Sequence, residues 1–224
     1  MGYESQIQFT LDTICPWTYL AKRRLSKALS QLPSDSPVTF TVKYMPYQLY
    51  PNASQQGEDK YEWYRKSRYG DSDEKMKMYM KLMGAYGSTE GIEYKFGGTV
   101  ANTLQAHRVI QHYQELKGAE TADKIVNSLY KQYFEEERHP SSHETLLRAT
   151  GEAGIPEGDA KAFIEDEDEG LMDVKMLIHE QAGNGIDAVP YIVIEGKRRD
   201  MTLEGCREVG EYVKALNQVI KESA

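Results

Sequence analysis

The segment "LDTICPWTYLAKRRL", residues 11–25, constrains the fold most strongly, because a strand pattern ends there and a helix pattern begins within a few residues. Apolar and polar residues alternate over residues 6–11, which predicts a strand. Pro16 fits the first position of a helix, where its missing N–H has no partner in any case. The pattern therefore predicts a strand, a turn carrying Cys15, and a helix.

Two further patterns complete the predicted sheet. Residues 38–44 alternate again after the helix, which gives a β-α-β unit with a parallel strand pair. Near the other end, "AVPYIVIEGKRRDMTLEG" predicts two strands joined by a turn, and a helix with one apolar face follows. The chain is therefore predicted to be an α/β protein with β-α-β and β-β-α halves.

The residues between these halves show helical periodicity almost throughout. We therefore expect residues 1–51 and 177–224 to form one domain and residues 52–176 to form a helical insertion. Met76, Tyr79, Met80 and Met83 are spaced as one face of a helix. This spacing favours a core stripe over a soft-metal site.

Composition excludes several classes of function. The net charge is −8 and no basic run is long enough to neutralise several phosphates, so nucleic acid is not an expected partner. The N-terminus lacks the pattern of a secretory signal, and no apolar run is long enough to span a membrane. We therefore expect a soluble, cytoplasmic protein. The two cysteines and five histidines lack the spacing of metal ligands, so no metal is expected.

Cys15 is the strongest candidate for chemistry. At the start of a helix, unpaired backbone N–H groups and the helix dipole stabilise a thiolate. A thiol in this position can have its pKa lowered from about 8.5 to roughly 3.5–7.5. The alternative is a small, buried apolar side chain, which is common for a free cysteine. Trp17 is expected beside the sulfur, where it would shield the thiolate or stack on a substrate.

Val189 and Pro190 lead directly into the predicted strand "YIVI". A cis peptide bond between them would expose the Val189 backbone for pairing with an extended substrate. The alternative is an ordinary trans proline at the first residue of a strand.

These motifs occur in a familiar order: "DTICPWTYLAKRRL", "YMPYQLYP", "NTLQAHR", "NGIDAVPYIVIEGK" and "LEGCREVGEYVKAL". The order resembles the DsbA-like family of the FrnE type and, more distantly, kappa-class glutathione transferases and 2-hydroxychromene-2-carboxylate isomerases. The resemblance implies an α/β thioredoxin fold with a large all-helical insertion. It also implies that Cys15 is the nucleophile and that a cis-proline loop at Val189–Pro190 faces it.

The chain departs from the resemblance at Thr18, where FrnE-like proteins carry the resolving cysteine. Without that thiol, Cys15 cannot pass on an intramolecular disulfide. A mechanism with one thiol remains, in which glutathione as co-substrate releases a mixed disulfide from Cys15. The Thr18 hydroxyl would then donate a hydrogen bond to the thiolate, or else bond its own backbone.

Gly205 and Cys206 form a second candidate glutathione contact. Gly205 precedes the last helix, and the free N–H groups of Cys206 and the two residues after it would suit a carboxylate. The block is similar to one that holds the γ-glutamyl end of glutathione in glutaredoxins and kappa-class transferases. Gly205 could equally just separate the strand from the helix. Cys206 would either pair with Cys15 or be a packed side chain.

His107 shares a helix face with apolar residues, so its ring is expected to point inward or toward a cleft. The resemblance implies that Asn102, Pro16 and His107 help to line the substrate cleft, while a purely structural histidine is the alternative.

The leading hypothesis is glutathione-linked disulfide reduction or deglutathionylation through Cys15. The alternatives are a glutathione transferase or isomerase acting on a small electrophile, and a redox-inert binding module. The distant relatives suggest a homodimer.

Overall fold

The structure is a computed structural model, and it describes residues 2–223. Its strands and helices follow in the order β1 (Tyr3–Leu11), α1 (Pro16–Ser30), β2 (Val38–Pro46), β3 (Glu58–Asp59), α2 (Lys60–Tyr69), α3 (Asp73–Glu90), β4 (Thr99–Val100), α4 (Leu104–Lys117), α5 (Ala119–Phe134), α6 (His143–Glu152), α7 (Glu157–Glu165), α8 (Leu171–Gly183), β5 (Tyr191–Ile194), β6 (Met201–Glu204) and α9 (Val209–Ser223). None of the helices in this described part is long and apolar enough to cross a membrane.

The main sheet has four strands in the order β2-β1-β5-β6. Strand β1 runs parallel to β2, with Ile7 opposite Val42, and antiparallel to β5, with Phe9 opposite Ile192. Strands β5 and β6 form the antiparallel hairpin. This arrangement confirms the predicted α/β fold, in which a β-α-β half and a β-β-α half share one sheet.

The central strand β1 is buried on one face along most of its length, and on both faces only at its C-terminal end, where the exposed Gln8 is followed by the buried Thr10. Ile7 and Phe9 lie in the main apolar core. Thr10 points the other way and is also buried, and its hydroxyl donates to the side-chain oxygen of Gln181 on α8 at 3.2 Å. A hydrogen-bonded partner offsets the desolvation of a buried polar group. The C-terminal part of α8 therefore covers the sheet, and the expected domain boundary at residue 176 falls inside this helix.

Helices fill the insertion except at one place, where β3 and β4 pair as a short antiparallel bridge. The helical insertion is present as predicted, and this two-residue bridge is a detail that the sequence pattern did not indicate. Gly57 precedes β3 with φ +78°, and a Cβ added to it would lie 2.7 Å from the carbonyl oxygen of Val100. The close approach of the two segments depends on this glycine, and side-chain periodicity carries no signal for it.

Candidate active site

Cys15 lies at the point where the sheet meets α1, as the sequence predicts. It is the N-cap residue of α1, and its N–H donates to the carbonyl of Asp12 at 3.0 Å. Its side chain is only 4% exposed. The sulfur therefore lies at the positive end of a helix, but in a largely dry environment.

Of the two alternatives that the sequence leaves open for Cys15, the surroundings of its sulfur favour the buried, protonated thiol. Burial, with a smaller contribution from the nearby carboxylate of Asp12, raises the pKa of Cys15 to about 12. The backbone N–H groups of Thr18 and Trp17 lower the pKa of Cys15 but do not offset the loss of hydration. Helix position favours a thiolate, whereas depth of burial, which the sequence pattern does not report, favours the protonated thiol.

The Val189–Pro190 loop faces this thiol. Its peptide bond is cis, and the Val189 carbonyl oxygen lies 3.8 Å from the Cys15 sulfur. The N–H of Gly205 donates to the Pro190 carbonyl at 2.9 Å, which ties the loop to the end of β6. Both the expected cis bond and the expected position opposite Cys15 are therefore present. The adjoining cleft, of about 150 Å³, is lined by Glu204 and by further residues of the same loop.

The hydroxyl of Thr18 lies beneath the thiol and is already engaged. Its oxygen is 2.7 Å from the carbonyl of Cys15 and 2.9 Å from the carbonyl of Asp12, and it accepts a hydrogen bond from the Tyr130 hydroxyl at 2.7 Å. A hydroxyl has one proton, so this proton lies toward a carbonyl. Donation to a Cys15 thiolate, which would lower the pKa of Cys15, requires the hydroxyl to turn.

His107 and Asp12 form a buried pair behind the turn that carries the thiol. The His107 ring is 1% exposed, and its Nε2 lies 3.4 Å from Oδ1 of Asp12. The other Asp12 oxygen accepts the backbone N–H of Leu49 at 2.7 Å. His107 does point inward, as expected, but it does not line an open cleft. Sequence analysis missed Asp12, whose only signal is its position three residues before Cys15.

Asn102 and Pro16 hold structure together around the site. The Asn102 amide donates to the Pro51 carbonyl and accepts from the backbone N–H of Leu104, at 2.8 and 2.9 Å. The Pro16 carbonyl accepts the hydroxyl proton of Tyr94 at 2.7 Å. The Asn102 amide therefore fixes the loop before α4 through bonds within the chain.

The expected carboxylate site after Gly205 is already filled by the chain itself. The Arg207 N–H donates to the Tyr212 hydroxyl at 3.3 Å, and the Glu208 N–H donates to the Glu211 carboxylate at 3.1 Å. Helix α9 begins only at Val209, later than the pattern indicated. These two N–H groups are therefore not free for glutathione.

The structure does not bring Cys206 to Cys15, and both thiols are free. The Cys206 sulfur lies 3.7 Å from the Arg24 guanidinium, well along α1 from its start. Burial raises the pKa of Cys206 to about 11, while Arg24 lowers it. Cys206 is therefore a packed side chain.

Trp17 extends the site toward the insertion. Its ring packs edge-on against Tyr86 of α3 at 5.5 Å, and it forms one wall of an apolar groove. On the other side of the thiol, the Tyr47 hydroxyl donates to the Asp187 carbonyl at 2.7 Å, beside the cis-proline loop. Sequence patterns did not single out Tyr94 or Tyr130, because sixteen tyrosines offer no basis for choosing.

A cysteine at a helix N-terminus, opposite a cis-proline loop on this sheet, defines a thioredoxin-like thiol site. The chain matches the model of the DSBA-like thioredoxin domain over residues 6–217, and it belongs to that family. No curated protein matches it significantly.

Solved structures share the fold over almost the whole chain. A probable DsbA oxidoreductase from Streptomyces coelicolor is 22% identical with a TM-score of 0.82, covering 98% of this chain and 92% of its own. A 2-hydroxychromene-2-carboxylate isomerase is 16% identical with a TM-score of 0.69, covering 96% of each chain. The cytosolic disulfide reductase DsbM from Pseudomonas aeruginosa is 15% identical with a TM-score of 0.62, covering 96% of this chain and 95% of its own.

Proposed function

We propose that the protein is a thiol oxidoreductase that reduces disulfides through Cys15 alone. One observation carries the proposal: the Cys15 sulfur at the start of α1 lies 3.8 Å from the Val189 carbonyl, and position 18, one helical turn on, is a threonine. The loop backbone can hold an extended substrate against the sulfur by strand-like pairing. Membership of the DSBA-like family supports thiol chemistry at this position.

The reaction needs two exchange steps. The Cys15 thiolate attacks one sulfur of a mixed disulfide between glutathione and a client thiol, forms a disulfide with glutathione, and releases the client thiolate, which takes up a proton. A second glutathione thiolate then attacks the Cys15-bound disulfide, giving oxidised glutathione and restoring Cys15. Glutathione is therefore the reductant, and no second protein thiol is used.

The raised pKa of Cys15 sets the condition for the first step. Burial raises the pKa of Cys15 to about 12, so attack at neutral pH requires the thiol to lose its proton as the substrate approaches, and the departing client thiolate takes a proton up. The N–H groups of Trp17 and Thr18 are the donors that stabilise the resulting thiolate. Rotation of the Thr18 hydroxyl toward the sulfur would add a third donor.

The choice of glutathione rests on two supports. A DsbM structure solved with GSH shares the fold, at 16% identity and a TM-score of 0.58. The cytoplasmic location inferred from the sequence would also supply a reducing thiol pool. The occupied N–H groups of Arg207 and Glu208 mean that glutathione would have to bind without the carboxylate site expected after Gly205.

A second candidate is transferase or isomerase chemistry on an electrophilic small molecule. The raised pKa of Cys15 favours it, because glutathione itself would be the nucleophile in such a reaction and the protein would only position it. The shared fold with a 2-hydroxychromene-2-carboxylate isomerase is consistent with this reading.

The test follows reduction of a peptide–glutathione mixed disulfide in a Cys206→Ser background, with Cys15→Ser as the matched loss of the nucleophile. We expect turnover to depend on Cys15, and mass spectrometry to trap Cys15 carrying one glutathione. Turnover that survives Cys15→Ser would overturn the thiol mechanism. Turnover of an electrophile with glutathione, and none of the disulfide, would select the transferase reading. If no chemistry occurs and Cys15→Ser leaves peptide binding intact, the protein is a redox-inert binding module.

A further inference from the structure

An exposed apolar groove starts at Trp17 and runs along α3, away from the thiol. Met78, Leu82 and Tyr86 are spaced four residues apart, so they form one stripe on the outer face of the helix. Met78 is 72% exposed and Leu82 is 47% exposed. The buried stripe of α3, at Met76 and Met83, faces the opposite way. Helix α3 is therefore apolar on a side that nothing in the described chain covers.

The groove has a volume of about 780 Å³, and packed aromatic side chains form its floor. Tyr79, which forms part of that floor, stacks on Tyr64 at 5.9 Å and packs against Tyr69 at 5.1 Å. The volume alone would fit a small molecule, but such ligands normally have most of their surface enclosed. The exposure of Met78 and Leu82 suits a longer occupant that lies along the helix.

Two basic side chains border this apolar surface. Lys75 and Lys81 line the groove, and neither has an acidic partner within residues 2–223. The chain as a whole carries a net charge of −8. The unpaired lysines beside the apolar stripe therefore give this surface a charge opposite in sign to that of the whole chain. A second copy of the chain would bring Lys81 near its own counterpart in a symmetric antiparallel pairing of α3 helices, which like charges oppose.

We propose that this groove binds an apolar, acidic polypeptide segment of the client whose disulfide reacts at Cys15. The proposal rests on the proposed function, because it names the substrate class of that site. Trp17 and Tyr86 mark the end of the groove nearest Cys15. Lys75 and Lys81 lie roughly 9 Å apart along the helix axis, and acidic residues at every second position of an extended segment share one face and recur about every 7 Å, so such a segment can reach both lysines.

Binding is tested apart from chemistry with fluorescent peptides in which serine replaces the reactive cysteine. Three peptides share alternating leucines and carry glutamate, glutamine or lysine between them. We expect the glutamate peptide to bind most tightly and the lysine peptide most weakly. Because Lys75 and Lys81 are exposed, the preference should shrink as salt is added.

Charge reversal is the decisive variant. Lys75→Glu with Lys81→Glu should weaken binding of the glutamate peptide by about tenfold and strengthen binding of the lysine peptide. The matched control is Lys175→Glu with Lys214→Glu, which makes the same change in net charge at exposed positions outside the groove. Equal effects of the two double variants would overturn the proposal, because they would reflect net charge alone.

The apolar stripe is tested by Leu82→Ser, with Leu116→Ser as control, since Leu116 is 59% exposed on α4, outside the groove. Only Leu82→Ser should weaken binding of all three peptides. Groove-dependent binding without turnover of the matching mixed disulfides would support the groove as a site for acidic peptides and overturn the proposed function. Turnover of these mixed disulfides without any preference among the peptides would overturn this proposal and leave the proposed function standing.

Discussion

The hydroxyl of Tyr130 donates a hydrogen bond to the hydroxyl of Thr18 at 2.7 Å, joining two residues that lie 112 positions apart. Tyr130 belongs to α5 of the insertion, and Thr18 belongs to the first turn of α1. The insertion therefore reaches under the thiol and holds the hydroxyl that occupies the position of the missing second cysteine. Tyr94, also from the insertion, bonds the Pro16 carbonyl in the same turn.

Removing the Tyr130 hydroxyl with Tyr130→Phe should lower the free energy of unfolding by about 1 kcal/mol, because a buried hydrogen bond is lost. Chemical denaturation measures the change. Tyr113→Phe is the control, since Tyr113 is equally buried and its hydroxyl forms no hydrogen bond within residues 2–223. A Tyr113→Phe variant as destabilised as Tyr130→Phe would show that the hydrogen bond to Thr18 does not itself contribute to the free energy of unfolding.

Alkylation of Cys15 should be slow at neutral pH and should accelerate steadily with pH. While the pH is below the pKa of Cys15, which burial raises to about 12, the thiolate fraction rises about tenfold per pH unit. Iodoacetamide kinetics in a Cys206→Ser background report on this thiol alone, and the same protein in denaturant gives the unperturbed reference. A rate that levels off below about pH 8 would mean that the helix N-terminus outweighs burial.

Introducing the missing thiol with Thr18→Cys should allow a disulfide between residues 15 and 18. The oxidised form should appear as the loss of two free thiols in a Cys206→Ser background. The same change removes the acceptor of the Tyr130 hydroxyl bond, so the reduced variant should lose about 1–3 kcal/mol of unfolding free energy. Thr18→Ser is the control that keeps the hydroxyl. A Thr18→Cys protein that keeps both thiols free under oxidising conditions contradicts the prediction.

Lys60 provides a prediction about stability and pH. Its ammonium is buried over the Tyr133 ring at 4.4 Å and donates to the carbonyls of Lys95 and Tyr133. Burial lowers the pKa of Lys60 from 10.5 to about 8, while Glu137 and Asp59 raise it. Between these two pH values the unfolded chain binds more protons, so stability attributable to Lys60 rises with pH across that window.

Lys60→Met removes this penalty, which amounts to about 3 kcal/mol below pH 8 from the size of the shift, and it also removes the two hydrogen bonds. The unfolding free energy of the variant minus that of the original protein should therefore fall as pH rises from 8 to 10.5. Denaturation at several pH values measures it, with the exposed Lys175→Met as control. A difference that stays constant across this range would show that Lys60 titrates normally.

The sequence by itself determined the two halves of the sheet, the start of α1 at Pro16 and the position of Cys15 before it. Strand alternation, helix periodicity and proline act over a few neighbouring residues, so they can be read from the chain. The same local rules placed Val189–Pro190 at the head of β5, and the family resemblance marked Thr18 as the position where a second thiol would be.

Only the tertiary structure decided the state of the site. The pKa of Cys15, the engagement of Thr18 by Tyr130 and the pairing of His107 with Asp12 depend on segments about a hundred residues apart. Desolvation is set by everything that packs around an atom, and local patterns do not contain that information. The N–H groups of Arg207 and Glu208 read as free from the sequence for a different reason: their partners, Tyr212 and Glu211, lie only five and three residues further on, but α9 begins later than the pattern indicated.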